Sequence, residues 1–340
     1  MKAWVIDRIS DLSRESRPLS HVRLPEPEPG EGQLLIKVAA CGVCHTEIDE
    51  IEGRTPPPSF PVVPGHQVIG RVVKSNAGNG IKEGERVGVA WIWSSCGNCE
   101  YCISGRENLC GNFLATGRDV NGGYAEYMVV PVKFAYPIPE LFTDAEAAPL
   151  LCAGAIGYRS VALCNLHNGQ KIGLTGFGAS AHLVLKLIKY RYPCSDVFVF
   201  ARSNSEREFA KELGAAWTGD TTERPPELLD CIIDTTPVWK PVVWALEYLK
   251  PGGRLVINAI RKESADNRYL VNIDYARHLW MEKEIKSVAN VAASDVREFI
   301  RIAAEMPFHP EVESYSFDDA NKAIMEIKQR KIRGAKVLVI

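Results

Sequence analysis

The chain has 340 residues, 46% of them hydrophobic and 24% charged, with a formal net charge of −2. That length calls for about two domains, because single cores stop growing below it. A near-neutral balance with no basic block or acidic tail leaves no electrostatic footprint for nucleic acid or a membrane surface. The N-terminal MKAWVIDRISDLSRESR lacks the apolar run of a secretion signal, and APLLCAGAIGY is too short and Gly-rich to span a bilayer. A soluble, cytoplasmic protein is expected, in which closely spaced thiols point to metal rather than disulfides.

Up to about residue 150, short runs rich in β-branched residues lie between Gly- and Pro-rich loops: QLLIKVAA, QVIGRVVK, ERVGVAW and AEYMVVP. They predict the strands of an all-β domain. From Lys171 the rhythm changes. KIGLTG, VFVFAR, CIIDTT and GRLVIN read as strands; AHLVLKLIKY, EREFAKELGA and VVWALEYL read as helices between them, the last ending at Lys250. This alternation predicts right-handed crossovers and a parallel sheet covered on both faces. After IKSVAN come helices near DVREFIRIAAE and DDANKAIMEIKQ and a closing strand, AKVLVI. The expected fold class is α/β: a Rossmann-type doubly wound sheet domain over residues 153–292, and an irregular all-β catalytic domain over 1–152 and 293–340.

Four of the ten cysteines, Cys96, Cys99, Cys102 and Cys110, follow C-x2-C-x2-C-x7-C. Four thiolates with no spare position suit a closed tetrahedral zinc site that orders a loop lacking a core of its own. An iron–sulfur cluster is the alternative with the same ligands. A second set is dispersed: Cys44 in CGVCHTE, His66 in PGHQVIG and Cys152 in APLLCAG. Two thiolates and one imidazole leave a fourth position free for substrate. On spacing alone, a core cysteine or a turn histidine explains each of these three equally well.

LTGFGASAHLVLK reads as strand, tight turn and helix. Gly176 permits the turn, and Gly178 lets the backbone of Phe177, Ala179 and Ser180 approach a pyrophosphate at the helix N-terminus. Ala181 stands at the third fingerprint position. The next strand ends in Ala201, Arg202 and Ser203, with no acid until Glu206. A small residue followed by Arg accommodates a 2′-phosphate, so NADP is favoured; the alternative is NAD with Arg202 stacked on adenine.

Taken in order, CGVCHTE, VPGHQVIGRVV, the four-cysteine loop, GGYAEYMVVP, APLLCAGAIGY and the glycine loop make the sequence resemble the zinc-dependent medium-chain alcohol dehydrogenases, nearly end to end. The resemblance implies a GroES-like catalytic domain with a zinc lobe, and two zinc ions per chain. Cys44, His66 and Cys152 would hold the catalytic ion, and Cys96, Cys99, Cys102 and Cys110 the structural one, leaving Cys41 to packing. Thr46 would relay the alcohol proton, His45 contact the pyrophosphate, Glu47 orient the zinc-bound histidine, and Trp91 line a substrate pocket in the interdomain cleft.

There are departures. Gln67 stands where the family usually has Glu, and Asp49 where many members end the proton relay on His, so the relay is altered or shorter. Near the C-terminus the family often places an Arg on the pyrophosphate; here Ala335 takes that place, with Lys336 one residue off. The implied activity is reversible hydride transfer between a primary or secondary alcohol and NAD(P), the reverse direction reducing an aldehyde or ketone. A polyol or sugar dehydrogenase of the same fold, and a non-catalytic zinc-binding redox sensor, are the alternatives. The expected partners are the small substrate and further copies of the chain, as a tetramer or dimer.

Overall fold

The computed structural model describes residues 1–340 except 79, 307–308 and 331–332. The chain divides into two compact units, Met1–Ala155 with Val291–Ile340, and Ile156–Asn290.

In the first unit the strand Gln33–Val43 organises the main sheet. One edge pairs with Val68–Ser75, and the sheet continues through Arg86–Val89 to Ala135–Pro137. The other edge is shared: Tyr127–Pro131 takes residues 33–37, and Ala335–Val339 takes residues 40–43. Leu34, Ile36 and Val38 join Val68, Val72, Val87, Val89, Met128 and Val130 in one core, to which the helix Ala320–Lys328 adds Ala323, Ile324 and Ile327. The C-terminal segment therefore returns to the body begun by the N-terminus. It fills a free sheet edge and adds two helices, so the unit is β-rich rather than purely β.

The second unit is one parallel sheet. Its strands lie in the order Trp217–Gly219, Asp196–Phe200, Lys171–Thr175, Leu229–Asp234, Leu249–Ile257, Glu284–Ser287. Numbered along the chain this is 3-2-1-4-5-6, the doubly wound dinucleotide-binding arrangement. The inner strands are buried on both faces, which is why they read as continuous apolar runs. One helix is shorter than its sequence pattern predicts. It ends at Glu247 rather than Lys250, because after the cap residue Tyr248 the chain enters the sheet at Leu249. The Tyr248 carbonyl accepts the Leu229 N–H at 2.8 Å, and the fully buried Leu249 sits in register with Leu229.

The helical run Asp144–Cys164 is long and apolar enough to cross a membrane by length and composition. Yet 67% of its most apolar window is buried inside the protein, and non-helical backbone at Cys152 (φ −126°, ψ −76°) interrupts it. It is a core segment.

Lys336 is 2% exposed. Its ammonium group meets Glu313 at 2.5 Å, Glu326 at 2.8 Å and the Tyr315 hydroxyl at 2.5 Å. Its donors are used within the first unit. Replacing Lys336 with Met should cost about 1–3 kcal/mol, because Tyr315 and Glu326 lose a charged partner. The Lys336 hydrogen bonds also hold the Glu313 and Glu326 carboxyls below the ordinary 4.5. A carboxyl with a lowered folded pKa contributes stability above its unfolded value and loses it as pH falls through the folded one. Thermal melts should therefore show a shallower acid-side decline below about pH 4.5 in Lys336→Met than in the parent.

Candidate active site

CGVCHTE folds as a helix start. Cys44 precedes the helix His45–Ile51, and Glu47, at the third helical position, reaches back to accept the Cys44 N–H at 2.7 Å. The other Glu47 oxygen lies 2.8 Å from His66 Nδ1, with both side chains buried. One carboxylate thus fixes both the Cys44 backbone and the His66 ring. The opposite ring nitrogen, Nε2, lies 3.3 Å from Cys152 Sγ, which is brought there by the interrupted helix. The donor atoms of Cys44, His66 and Cys152 all lie within 4.8 Å of one another.

This donor set fits a cation. Bonds of about 2.3 Å to sulfur and about 2.0–2.1 Å to nitrogen, at tetrahedral angles, give an N···S edge of about 3.6 Å. Three donors leave one corner of that tetrahedron free. Without a cation the sulfurs compete for a proton. A hydrogen bond from Cys152 pulls the Cys44 thiol well below its ordinary range against the effect of burial, while the same contact and burial push Cys152 well above it. A divalent charge would let both ionise.

The four-cysteine lobe fits equally well. Cys96 Sγ lies 3.8 Å from Cys102 Sγ and 3.5 Å from Cys110 Sγ, and all four sulfurs fall within 4.8 Å. Sulfurs bonded at about 2.3 Å to a tetrahedral ion stand about 3.8 Å apart. Backbone N–H groups of Asn98 and Cys99 bring the Cys96 thiol down to about 6. Glu107 ties the lobe to the helix Ala293–Glu305 by accepting the Ala293 N–H at 2.6 Å.

Other residues singled out by sequence fall around the first donor set. Thr46 Oγ1 lies 3.5 Å from Cys44 Sγ. His45 is half exposed, with Nε2 4.0 Å from Asp49 Oδ1. Asp49 is buried and bound by Arg54 Nε at 2.5 Å, so its carboxylate is engaged in an ion pair. Trp91 is buried edge-on to His66, ring centroids 5.0 Å apart, beneath the Arg118 guanidinium. Cys41 is buried outside both donor sets. Gln67 is buried, and its side chain fills the space beside Gly42, where an added Cβ would lie 2.7 Å from Gln67 Cδ. Sequence reasoning passed over Gly42, Glu50 and Tyr124. The available signal for Glu50 was the acid-rich HTEIDEI, a helix whose three acids are all buried.

In the dinucleotide-type unit, Gly176 turns with φ +79°, and a Cβ there would meet Thr235 Oγ1 at 2.8 Å. Gly178 precedes the helix Ala179–Arg191 with no side-chain cap, and nothing lies within 4 Å of an added Cβ. With Gly178 at the N-cap, no capping side chain precedes the first-turn amides, which suits an anion cradle. Phe177 turns inward against Phe209, leaving its backbone to the loop. At the same strand ends, buried Asp234 accepts from Thr175 at 2.5 Å and Thr236 at 2.8 Å and pairs with Lys262.

Beyond the second strand Ala201 is buried and Arg202 exposed. Ser203 caps the following helix, with Glu206 accepting from its hydroxyl at 2.7 Å. The first acid after the strand is therefore occupied by a helix cap. Arg207, another residue the sequence reading missed, donates to the Ala201 carbonyl at 2.7 Å.

A parallel dinucleotide-type sheet and a β-rich unit carrying grouped thiol donors define the class, a two-unit dehydrogenase. Residues 30–140 match the alcohol dehydrogenase GroES-like domain family. The chain is 38% identical to a Mycobacterium tuberculosis protein named "Probable alcohol dehydrogenase AdhA", over 100% of this chain and 97% of that protein. It is 31% identical to an alcohol dehydrogenase of Geobacillus stearothermophilus, over 99% and 98%. The solved structure of a cinnamyl alcohol dehydrogenase of Sorghum bicolor superposes with a TM-score of 0.83 at 27% identity, covering 99% of this chain and 97% of that one. The chain belongs to the zinc-dependent medium-chain alcohol dehydrogenase family.

Gly42→Ala should destabilise the chain by about 1–3 kcal/mol in chemical denaturation, as overpacking does. Adding Gln67→Ala should recover only part of that loss, because Gln67 Cβ itself lies 2.9 Å from the new methyl.

Proposed function

We propose that this oxidoreductase is an NADP-linked alcohol dehydrogenase and aldehyde reductase whose substrate oxygen binds beside Cys44, His66 and Cys152. The observation that carries this is the convergence of two half-buried thiols and a buried, oriented imidazole, with no fourth donor in the group among the described residues. Bound there, a zinc ion supplies Lewis acidity toward an alcohol or carbonyl oxygen. Glu47 keeps the proton of His66 on Nδ1, so that Nε2 faces the sulfurs as a lone pair. We assign Thr46 to the alcohol proton and half-exposed His45 to its exchange with solvent. Asp49 serves instead to anchor the helix through Arg54.

Cys96, Cys99, Cys102 and Cys110 hold a second, structural zinc in this reading. The uncapped helix start after Gly178 takes the pyrophosphate. Arg202 takes a 2′-phosphate, supported by the absence of an acid at Ala201 and the engagement of Glu206. All ten cysteines are free, which favours a reducing, cytoplasmic setting. The edge strand Glu284–Ser287 pairs on one side only and is exposed throughout, beside exposed Tyr275, Trp280 and Met281. An open strand edge flanked by exposed aromatic and apolar side chains supports a homo-oligomer joined along it.

Elemental analysis should find two zinc ions per chain. Cys152→Ser should lose about one ion and nearly all turnover with the fold retained, whereas Cys99→Ser should lower the melting temperature. If Cys152→Ser keeps full metal content and turnover, the site is wrongly placed. Across a panel of alcohols, aldehydes and polyols, kcat/KM should be higher with NADPH than NADH. Arg202→Ala should raise KM for NADPH about ten- to a hundredfold, the value of one charge-assisted hydrogen bond, and leave NADH almost unchanged. Equal use of both cofactors by the parent protein would contradict the NADP assignment.

A further inference from the structure

Glu50 is a buried acid without a protein partner. It is 1% exposed, and neither carboxyl oxygen has a hydrogen-bond partner among the described residues. Burying a carboxyl in this way is costly unless something else meets it. Glu50 lies three residues beyond Glu47 on the same short helix, close enough to Glu47, His66 and Cys44 to feel their charges. Arg118 also acts on it, but that guanidinium is held in a two-pronged pair with Asp119, at 3.0 and 2.8 Å. The hydroxyl of fully buried Tyr124, in the field of the same acids, is likewise unpartnered. Gln67, directly after the ligand histidine, carries no charge and is packed beside Gly42.

We infer that Glu50 is a second acid of the Cys44–His66–Cys152 site, an anionic group that strengthens the hold on a divalent cation there. This rests on those three residues binding a metal. Glu47 is already occupied in bonding the Cys44 backbone and the His66 ring. Glu50 has no such duty; burial and the neighbouring Glu47 push its carboxyl well up, and a divalent ion would draw it back to the anion, whose charge then acts on that ion. At an effective dielectric constant of about 20, a unit charge near a divalent ion is worth on the order of tenfold or more in affinity.

The test is cobalt(II) titration of the full metal-free chain against a competing chelator. It is read by visible absorption, which separates a two-thiolate, one-imidazole site from a four-thiolate one. Glu50→Gln and Glu50→Met should each weaken cobalt at the first site about tenfold or more and leave the four-thiol site unchanged. Metal-free Glu50→Met should melt no lower than the metal-free parent, because a side chain of similar size without charge replaces an unpaired carboxyl. Unchanged cobalt affinity in both variants, or an equal loss at both sites, overturns the inference. Cys152→Ser is the control for the underlying site. If it leaves the first cobalt spectrum intact, the site assignment itself fails, and Glu50 with it.

Discussion

One buried carboxylate constrains everything around the open donor set. Burial alone pushes the Glu47 carboxyl up, and His66 is the principal opposing influence. An isolated charge would not survive there, whereas a paired and hydrogen-bonded one does. Glu47 is held at once by the Cys44 backbone and the His66 ring. The start of a helix and the tautomer of a histidine 22 residues away in sequence are therefore a single geometric fact. His66 in turn gives Trp91 an edge to pack on, which carries the constraint into the hydrophobic core of the unit.

Much of this architecture was legible because its causes are local. The inner parallel strands announce themselves as apolar runs since both faces are covered. The four-thiol spacing needs only fifteen residues to bring its sulfurs together. Cys152 is different. Its position depends on a break in a helical run and on a histidine from another loop, neither of which spacing encodes, so only the succession of motifs pointed to it. The early end of the helix at Glu247 was invisible for a related reason, because the pairing of Leu249 with Leu229 is a tertiary contact. Gly42 and Glu50 are intelligible only once Gln67 and His66 are in place beside them.

Polar burial is handled differently at the strand ends of the dinucleotide-type unit and at the open donor set. In the dinucleotide-type unit, Asp234 is satisfied from four directions, by Thr175, Thr236 and Lys262 side chains and by the Thr236 backbone. Such a network stiffens the strand ends beside the Gly176 turn without needing a ligand. Around the open donor set the reverse holds. Glu50 and the Tyr124 hydroxyl find no hydrogen-bond partner among the described residues, as suits a region shaped for something brought from outside.

The two thiol sites also differ in how much chain each must gather. The lobe is complete between Cys96 and Cys110, whereas the open set stretches from Cys44 to Cys152. Closing a segment of 108 residues rather than 14 costs about 2 kcal/mol more in chain entropy, a modest penalty. The difference in timing is larger. During synthesis the lobe has all its sulfurs as soon as Cys110 leaves the ribosome, while Cys44 and His66 must wait for Cys152 to emerge. With metal in both sites, as proposed, a nascent chain in a cell poor in free metal would secure the ion of the lobe first and that of the open set last.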